Sequence, residues 1–320
     1  MKRKTFIIEE YEIEIQETVQ KLIAAIVKEG DIDLMIRLKY YHTPLTRRLI
    51  DSIADTIKAV GKEHEFVVDI VLETDQWKKI KQLRRKLNQY SISLDLKVSD
   101  GLQVKEIAHY KKKLLLDKIM LSCKDYDTFY QSYHRWKTAG LSIALEEYEL
   151  TLKEYLQFFE EWIHDPKATW FVPFEDIISC MMTGVPAGIC EHSSCMGKYL
   201  YLDQNKKVYF CAKKRENTQM YSLTENVPDL LYNEIYDNAL GMAIEKRNQC
   251  AEECELFGLC RGGCPLDEKL AEACGEYIQK VSRIGEFIEK EIVNSFTDIE
   301  NPCMRQFYLS LIAYGFRFSQ

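Results

Sequence analysis

Six short apolar runs recur along the first 175 residues at nearly even spacing, and that period constrains the fold more than any other feature. They begin at Asp33 (DLMIRLK), Phe66 (FVVDIVL), Ile92 (ISLDLKV), Asp117 (DKIMLS), Leu141 (LSIALE) and Ala168 (ATWFVP), 33, 26, 25, 24 and 27 residues apart. One strand, one helix and two loops fill such a period, and repeated strand–helix units build a parallel sheet or barrel. The intervening segments read as helices. Thr43-Pro44 offers an N-cap followed by a proline, Gly61 offers a stop, and Leu45, Leu49, Ile53, Ile57 and Val60 form one apolar stripe between them. Thr151 and Glu154 make a capping box ahead of Leu152, Tyr155, Leu156, Phe159 and Trp162. A further helix carries Trp77, Ile80, Leu83 and Leu87 on one side and Lys78, Lys79, Lys81, Arg84, Arg85 and Lys86 on the others; a solvated basic face is the simpler reading there, ahead of a patch for an anionic partner.

Composition narrows the class. The chain has 320 residues, 46% hydrophobic and 29% charged, a globular balance that excludes a disordered polymer. A formal charge of −7 argues against a general nucleic-acid binder. No apolar run reaches the ~18 residues of a membrane span. Glu9, Glu10 and Glu12 interrupt what would be a signal-peptide core after the basic start at Lys2, so a cytoplasmic location is expected.

The texture changes after residue 175. Of 11 cysteines, only Cys123 and Cys180 lie in residues 1–189, whereas residues 190–274 hold eight. The spacing is Cys190-x4-Cys195-x15-Cys211, a gap of 38, then Cys250-x3-Cys254-x5-Cys260-x3-Cys264-x9-Cys274. In a reducing compartment such a group binds metal rather than forming disulfides. Eight thiolates suit two four-sulfur sites, for zinc or for iron–sulfur clusters. Residues 198–211 read as a hairpin, with Tyr199–Leu202 and Val208–Phe210 around a turn at 203–206, and residues 266–294 as strongly helical. The isolated Cys123, Cys180 and Cys303 read as packing residues.

The run CAEECELFGLCRGGCP, the upstream Cys–hairpin–Cys and the later cysteine in EACGEY together resemble the SPASM domain, the auxiliary-cluster domain of many radical S-adenosylmethionine peptide maturases. The resemblance covers residues 188–290. Carried over by position, it implies that Cys190, Cys195, Cys211 and Cys264 hold one [4Fe–4S] cluster and Cys250, Cys254, Cys260 and Cys274 a second, with zinc as the alternative metal. The chain departs from the pattern in having x3 after Cys250 where x2 is usual, and Asn205-Lys206 in the hairpin turn where glycine is usual; asparagine tolerates the left-handed conformation a tight turn needs.

The N-terminal half likewise resembles a radical-SAM partial barrel of six strand–helix units. That family's C-x3-C-x2-C motif is expected after the first strand, yet the loop after the Asp33 run reads Tyr40-Tyr41-His42-Thr43-Pro44-Leu45, and residues 1–122 contain no cysteine. The expected architecture is therefore α/β: a degenerate radical-SAM-like partial (β/α)6 barrel over residues 1–180, a SPASM domain of hairpin and short helices over 181–295, and a C-terminal tail over 296–320 packing on the core or an interface. The resemblance implies an accessory protein of ribosomal-peptide maturation that does not cleave S-adenosylmethionine. It would bind a precursor peptide or a partner enzyme, radical-SAM or ATP-grasp, and neither nucleic acid nor membrane. No catalytic residue is expected. A structural zinc- or cluster-binding adaptor and an enzyme with an unrecognised active site stay open as alternatives. The cysteine-rich half is expected to draw folding free energy from its metal, the N-terminal half from its own apolar stripes.

Overall fold

The chain begins with a strand that its sequence disguises. In the computed structural model Lys2–Ile8 forms β1 despite three cations in its first three positions, because Ile7 and Ile8 are buried and the strand pairs on both sides. The structure describes residues 2–8, 16–28, 32–40, 46–61, 65–72, 77–86, 89–90, 92–98, 103–114, 116–146, 148–183, 199–203, 205–211, 215–222, 234–254, 257, 270–294 and 299–313. The elements that follow β1 are α1 (Gln16–Lys28), β2 (Ile32–Tyr40), α2 (Arg47–Val60), β3 (Glu65–Leu72), α3 (Trp77–Lys86), β4 (Ile92–Val98), α4 (Val104–Leu114), β5 (Leu116–Leu121), α5 (Tyr126–Trp136), β6 (Ser142–Leu145), α6 (Leu152–Ile163) and α7 (Val172–Thr183). Then come β7 (Tyr199–Leu202), β8 (Lys207–Tyr209), α8 (Arg215–Thr218), β9 (Gln219–Ser222), α9 (Glu234–Glu253), α10 (Leu270–Asn294) and α11 (Pro302–Ala313).

The nine strands among the described residues form one sheet in the order β6-β5-β4-β3-β2-β1-β7-β8-β9. Strands β1 to β6 are parallel and lie side by side in sequence order. Successive right-handed crossovers in that order carry every connecting helix to the same face. Burial agrees: Ile36 and Leu38, Phe66 and Val68, Leu94 and Leu96, Ile119 and Ile143 share one core with residues of α1 to α7. The hairpin continues this sheet, since β7 pairs in parallel with β1 through Thr5↔Tyr199 to Ile8↔Leu202, and β8 and β9 follow antiparallel.

Two expectations are corrected in register. The six parallel strands start at residue 2, not 33, and the Ala168 run is not a strand. Only Phe171 makes a bridge, to Ile143, and Phe174 N–H and Glu175 N–H then bond back to the Phe171 carbonyl as α7 begins. Pro173 explains the switch, because proline lacks a ladder donor yet suits a first helical turn. The cap of α2 is Thr46, whose side chain accepts from Leu49 N–H at 3.1 Å; Thr43 and Pro44 lie outside the described residues. Gly61 ends that helix at φ 116°, as its position suggested. In the hairpin turn the residue at positive φ is Lys206 (58°) rather than Asn205, and Asp203 holds the turn by accepting from Asn205 N–H and Lys207 N–H, both at 2.9 Å.

The capping box of α6 forms in full: Glu154 N–H donates to Thr151 Oγ1 and Thr151 N–H to the Glu154 carboxylate. Thr151→Ala is expected to lower stability by about 1 kcal/mol, readable as a shifted denaturant midpoint at unchanged slope. A shift larger than about 2 kcal/mol would mean Thr151 does more than cap.

A cluster of aromatic rings fills the junction of α5, α6 and α7. Phe158 stands against Tyr133 at 4.7 Å between ring centroids, Phe129 at 4.9 Å, Phe171 at 5.2 Å and Phe174 at 5.3 Å. The Thr169 carbonyl accepts from Trp162 Nε1–H at 2.9 Å and from Tyr133 O–H at 3.1 Å. The fully buried Asn301 ties α11 to this core, donating to the Trp162 carbonyl and accepting from Cys303 N–H.

Candidate metal centre

Four of the eight cysteines fall on described residues. Cys211 follows β8 on the hairpin side of the sheet and is half-buried; its carbonyl accepts from Thr218 Oγ1 at 2.9 Å, and Phe210 N–H bonds the Thr218 carbonyl. Cys250 sits in the last turn of α9 and Cys254 one residue beyond its end, joined by a 3.0 Å bond from Cys254 N–H to the Cys250 carbonyl. The x3 spacing is thus one helical turn, which sets both thiols on one face of α9. Cys274 lies in the first turns of α10. All four are half-buried thiols outside any disulfide, accessible enough to take up a metal and soft enough to prefer zinc or iron. Cys190, Cys195, Cys260 and Cys264 lie outside the described residues, as do the loops around them. Among the described residues no three His, Cys, Asp or Glu side chains are gathered so as to hold a metal ion. The donors present suit a thiolate-bound metal in type and in exposure; three of the four described cysteines, Cys250, Cys254 and Cys274, belong to one proposed set, and Cys211 alone belongs to the other.

Two of the three cysteines outside this group behave as expected for packing residues. Cys123 and Cys303 are buried. Burial pushes the Cys303 thiol up to about 12, with the negative charges of Glu175 and Asp165 adding to it, so it carries no thiolate at neutral pH. Burial likewise raises Cys123. Cys180 belongs to the backbone of α7.

A second polar feature was not singled out from the sequence. Strand alternation sends Arg37, Ser93, Asp95 and Lys97 to the face opposite the helices. Asp95 has no exposed surface, and Arg37 Nη2 donates to its Oδ2 at 2.9 Å. Lys97 reaches the Glu146 carboxylate at 3.4 Å just beyond β6. A cavity of about 310 Å³ opens on this face, lined by Arg37, Glu65, Ser93, Asp95, Asp117 and Lys118 among others. The signal was present in the sequence as single charges at alternate positions inside runs that otherwise read as continuous apolar strands, DLMIRLK and ISLDLKV. Burial also raises the Glu175 carboxyl on α7, with Lys118 opposing and Asp117 reinforcing the shift.

With this geometry in hand, known proteins place the fold. The structure of native anSMEcpe with bound AdoMet superposes with a TM-score of 0.62 at 14% sequence identity, covering 91% of this chain and all of that one. A ribulose-1,5-bisphosphate carboxylase/oxygenase from Pyrococcus horikoshii OT3 reaches 0.38 at 12% identity over 89% of this chain and 63% of the other. A racemase from Streptomyces coelicolor A3(2) with bound magnesium reaches 0.27 at 10% identity over 52% and 55%. No protein-family model matches the sequence. No curated protein sequence matches it either. The chain therefore shares the α/β fold of anSMEcpe, with a mostly parallel sheet of nine strands among the described residues. Among the described residues no helix is long and apolar enough to cross a membrane.

Proposed function

We propose that this chain is an accessory SPASM-type protein of ribosomal-peptide maturation. On this reading it binds two [4Fe–4S] clusters and a precursor peptide or partner enzyme in the cytoplasm, and it does not cleave S-adenosylmethionine. Residues 1–180 form the degenerate partial barrel, residues 181–295 the cluster domain, and residues 296–320 a tail packing on the core or an interface. Cys190, Cys195, Cys211 and Cys264 hold one cluster; Cys250, Cys254, Cys260 and Cys274 hold the other. The clusters order the cysteine-rich half or carry electrons.

The observation that carries this reading is a mismatch. The fold overlays the whole of anSMEcpe, yet residues 1–122 have no cysteine. The structure sharpens the point, because the first parallel strand is β1. The segment after it, Glu9-Glu10-Tyr11-Glu12-Ile13-Glu14-Ile15, offers carboxylates where three thiolates would be required. Hard oxygen donors do not hold an iron–sulfur cluster as thiolates do. The later cysteines, in contrast, keep a full set of eight.

Anaerobic reconstitution with iron and sulfide is expected to load about eight iron atoms per chain, with broad visible absorption. The loaded protein is expected to form no 5′-deoxyadenosine from S-adenosylmethionine under strong reductant. Stoichiometric zinc with no iron uptake would move the chain to the adaptor reading. Formation of 5′-deoxyadenosine would overturn the accessory role.

A further inference from the structure

One side of the molecule is built by three neighbouring helices charged quite differently from the rest of the chain. Helices α2, α3 and α4 together carry thirteen Lys and Arg against three Asp and Glu, whereas the whole chain has 43 against 50. The centre of this face is α3, with six cations and no acid in ten residues. Trp77, Ile80 and Leu83 turn to the core, so the remaining arc of α3 faces outward. Local pairing engages part of it. Lys86 bonds Asp51 of α2, Arg84 donates to the Ile92 carbonyl at 2.9 Å, and Lys81 lies 4.4 Å over the ring of Tyr110 on α4. Lys78 and Arg85 remain exposed, two turns apart in a stripe along the outer side.

We infer that this face is a docking surface for an acidic peptide segment. A concentration of like charge disfavours the folded state by self-repulsion, so thirteen cations against three acids are better matched by an anionic partner than by solvent alone. Three observations favour a short acidic polypeptide over a nucleic acid. The stripe from Lys78 to Arg85 is about 10 Å long, the reach of one short segment. The two large rings beside it are closed to base stacking, since Trp77 is buried and Tyr110 lies under Lys81. The rest of the chain is acidic, which repels a polyanion running beyond the patch. Naming the occupant a peptide rests on the maturation reading above and deepens it by giving the partner's charge.

The test uses the full chain, cluster-loaded or not, and a fluorescein-labelled sixteen-residue peptide of alternating Glu and Ala. Anisotropy is read at about 50 mM and about 300 mM salt, where screening lengths differ by more than twofold. Binding is expected at low salt and is expected to weaken about tenfold or more at high salt. The double variant K78E/R85E is expected to lose about tenfold or more in affinity at an unchanged far-ultraviolet spectrum. K124E/K153E, which reverses two exposed cations elsewhere, is expected to bind as the parent does. Absence of binding by the parent, equal loss in both variants, or tighter binding of a single-stranded DNA dodecamer or of phosphatidylserine vesicles overturns the inference. The clusters play no part in this readout. Binding without iron uptake would sink the function proposed above and leave the docking surface standing, while iron uptake without binding would do the reverse.

Discussion

Replacing Phe158 with alanine is expected to lower the stability of the N-terminal sheet–helix body by about 3–5 kcal/mol, the range for emptying a large aromatic site in a core that does not collapse. Phe158, on α6, is fully buried and lies within aromatic contact distance of five rings, three on α5, one on α7 and one at the Phe171 bridge. Collapse around the cavity is opposed from several sides. Tyr133 and Trp162 are held to the Thr169 carbonyl, and Thr169 Oγ1 is held to the Leu141 carbonyl at 2.7 Å. Neither ring can move into the void without breaking a buried hydrogen bond, and each such break costs about 1–3 kcal/mol. Phe158→Leu keeps most of the volume and should cost about 1–1.5 kcal/mol. Equilibrium urea unfolding would measure both. An alanine variant within about 1.5 kcal/mol of the parent would show that this junction repacks freely.

The consequence extends past the N-terminal half, because α6 is also where α10 docks. Phe159 meets Phe287 at 6.1 Å, Lys280 lies 4.8 Å over the Tyr155 ring, and Glu160 pairs with Arg283. Helix α10 carries Cys274 at its start. The aromatic junction therefore anchors one end of the candidate metal centre to the sheet.

Strands β2 to β6 were legible because each is buried on the helix face and reads as a branched apolar run. Strand β1 was not: Lys2, Arg3 and Lys4 look like a solvated terminus, and only pairing with both β2 and β7 makes the segment a central strand. That pairing is a long-range fact, joining residue 5 to residue 199, and local pattern does not contain it. The Ala168 run failed for the opposite reason. Its composition suits a strand, but Pro173 and the aromatic junction recruit it into a helix start. The hairpin was legible from alternation, while its left-handed residue was misplaced by one, because Asp203 sets the turn with its side chain. The cysteine pattern was legible as a spacing, and the helical turn joining Cys250 to Cys254 turns an irregular spacing into a shared face. The buried Arg37–Asp95 pair went unread, since strand runs with a single charge look apolar on average.

Replacing both Cys260 and Cys264 with alanine is expected to unfold α9 and the cysteine-rich segment while leaving the hairpin and α10 in place. Thiolate–metal sites of structural type supply on the order of 10 kcal/mol to folding, and this variant removes one ligand from each proposed cluster. What remains must stand on apolar burial, and the three parts differ sharply in that respect. Of α9's twenty residues only Ala239 and Ala243 are buried, and Ile235, Met242 and Ile244 are about half exposed. Two alanines do not offset the cost of ordering a helix of that length, about 1–2 kcal/mol per residue of backbone. The hairpin buries Tyr201, Leu202, Val208, Tyr209 and Phe210 and is hydrogen-bonded to β1, so it shares the stability of the sheet. Helix α10 buries Tyr277, Val281 and Ile284 against α6 and α7 and adds the Arg283–Glu160 pair. Limited proteolysis with mass analysis should therefore cut the variant first between residues 234 and 269. Two fragments should stay associated on a sizing column, one running through β9 and one holding α10. First cleavage between residues 184 and 198, with loss of the hairpin, would mean that metal rather than sheet pairing holds β7. Uniform protection across residues 234–269 would mean that thiolates are not the staple of this region, and the cluster assignment would lose its physical basis.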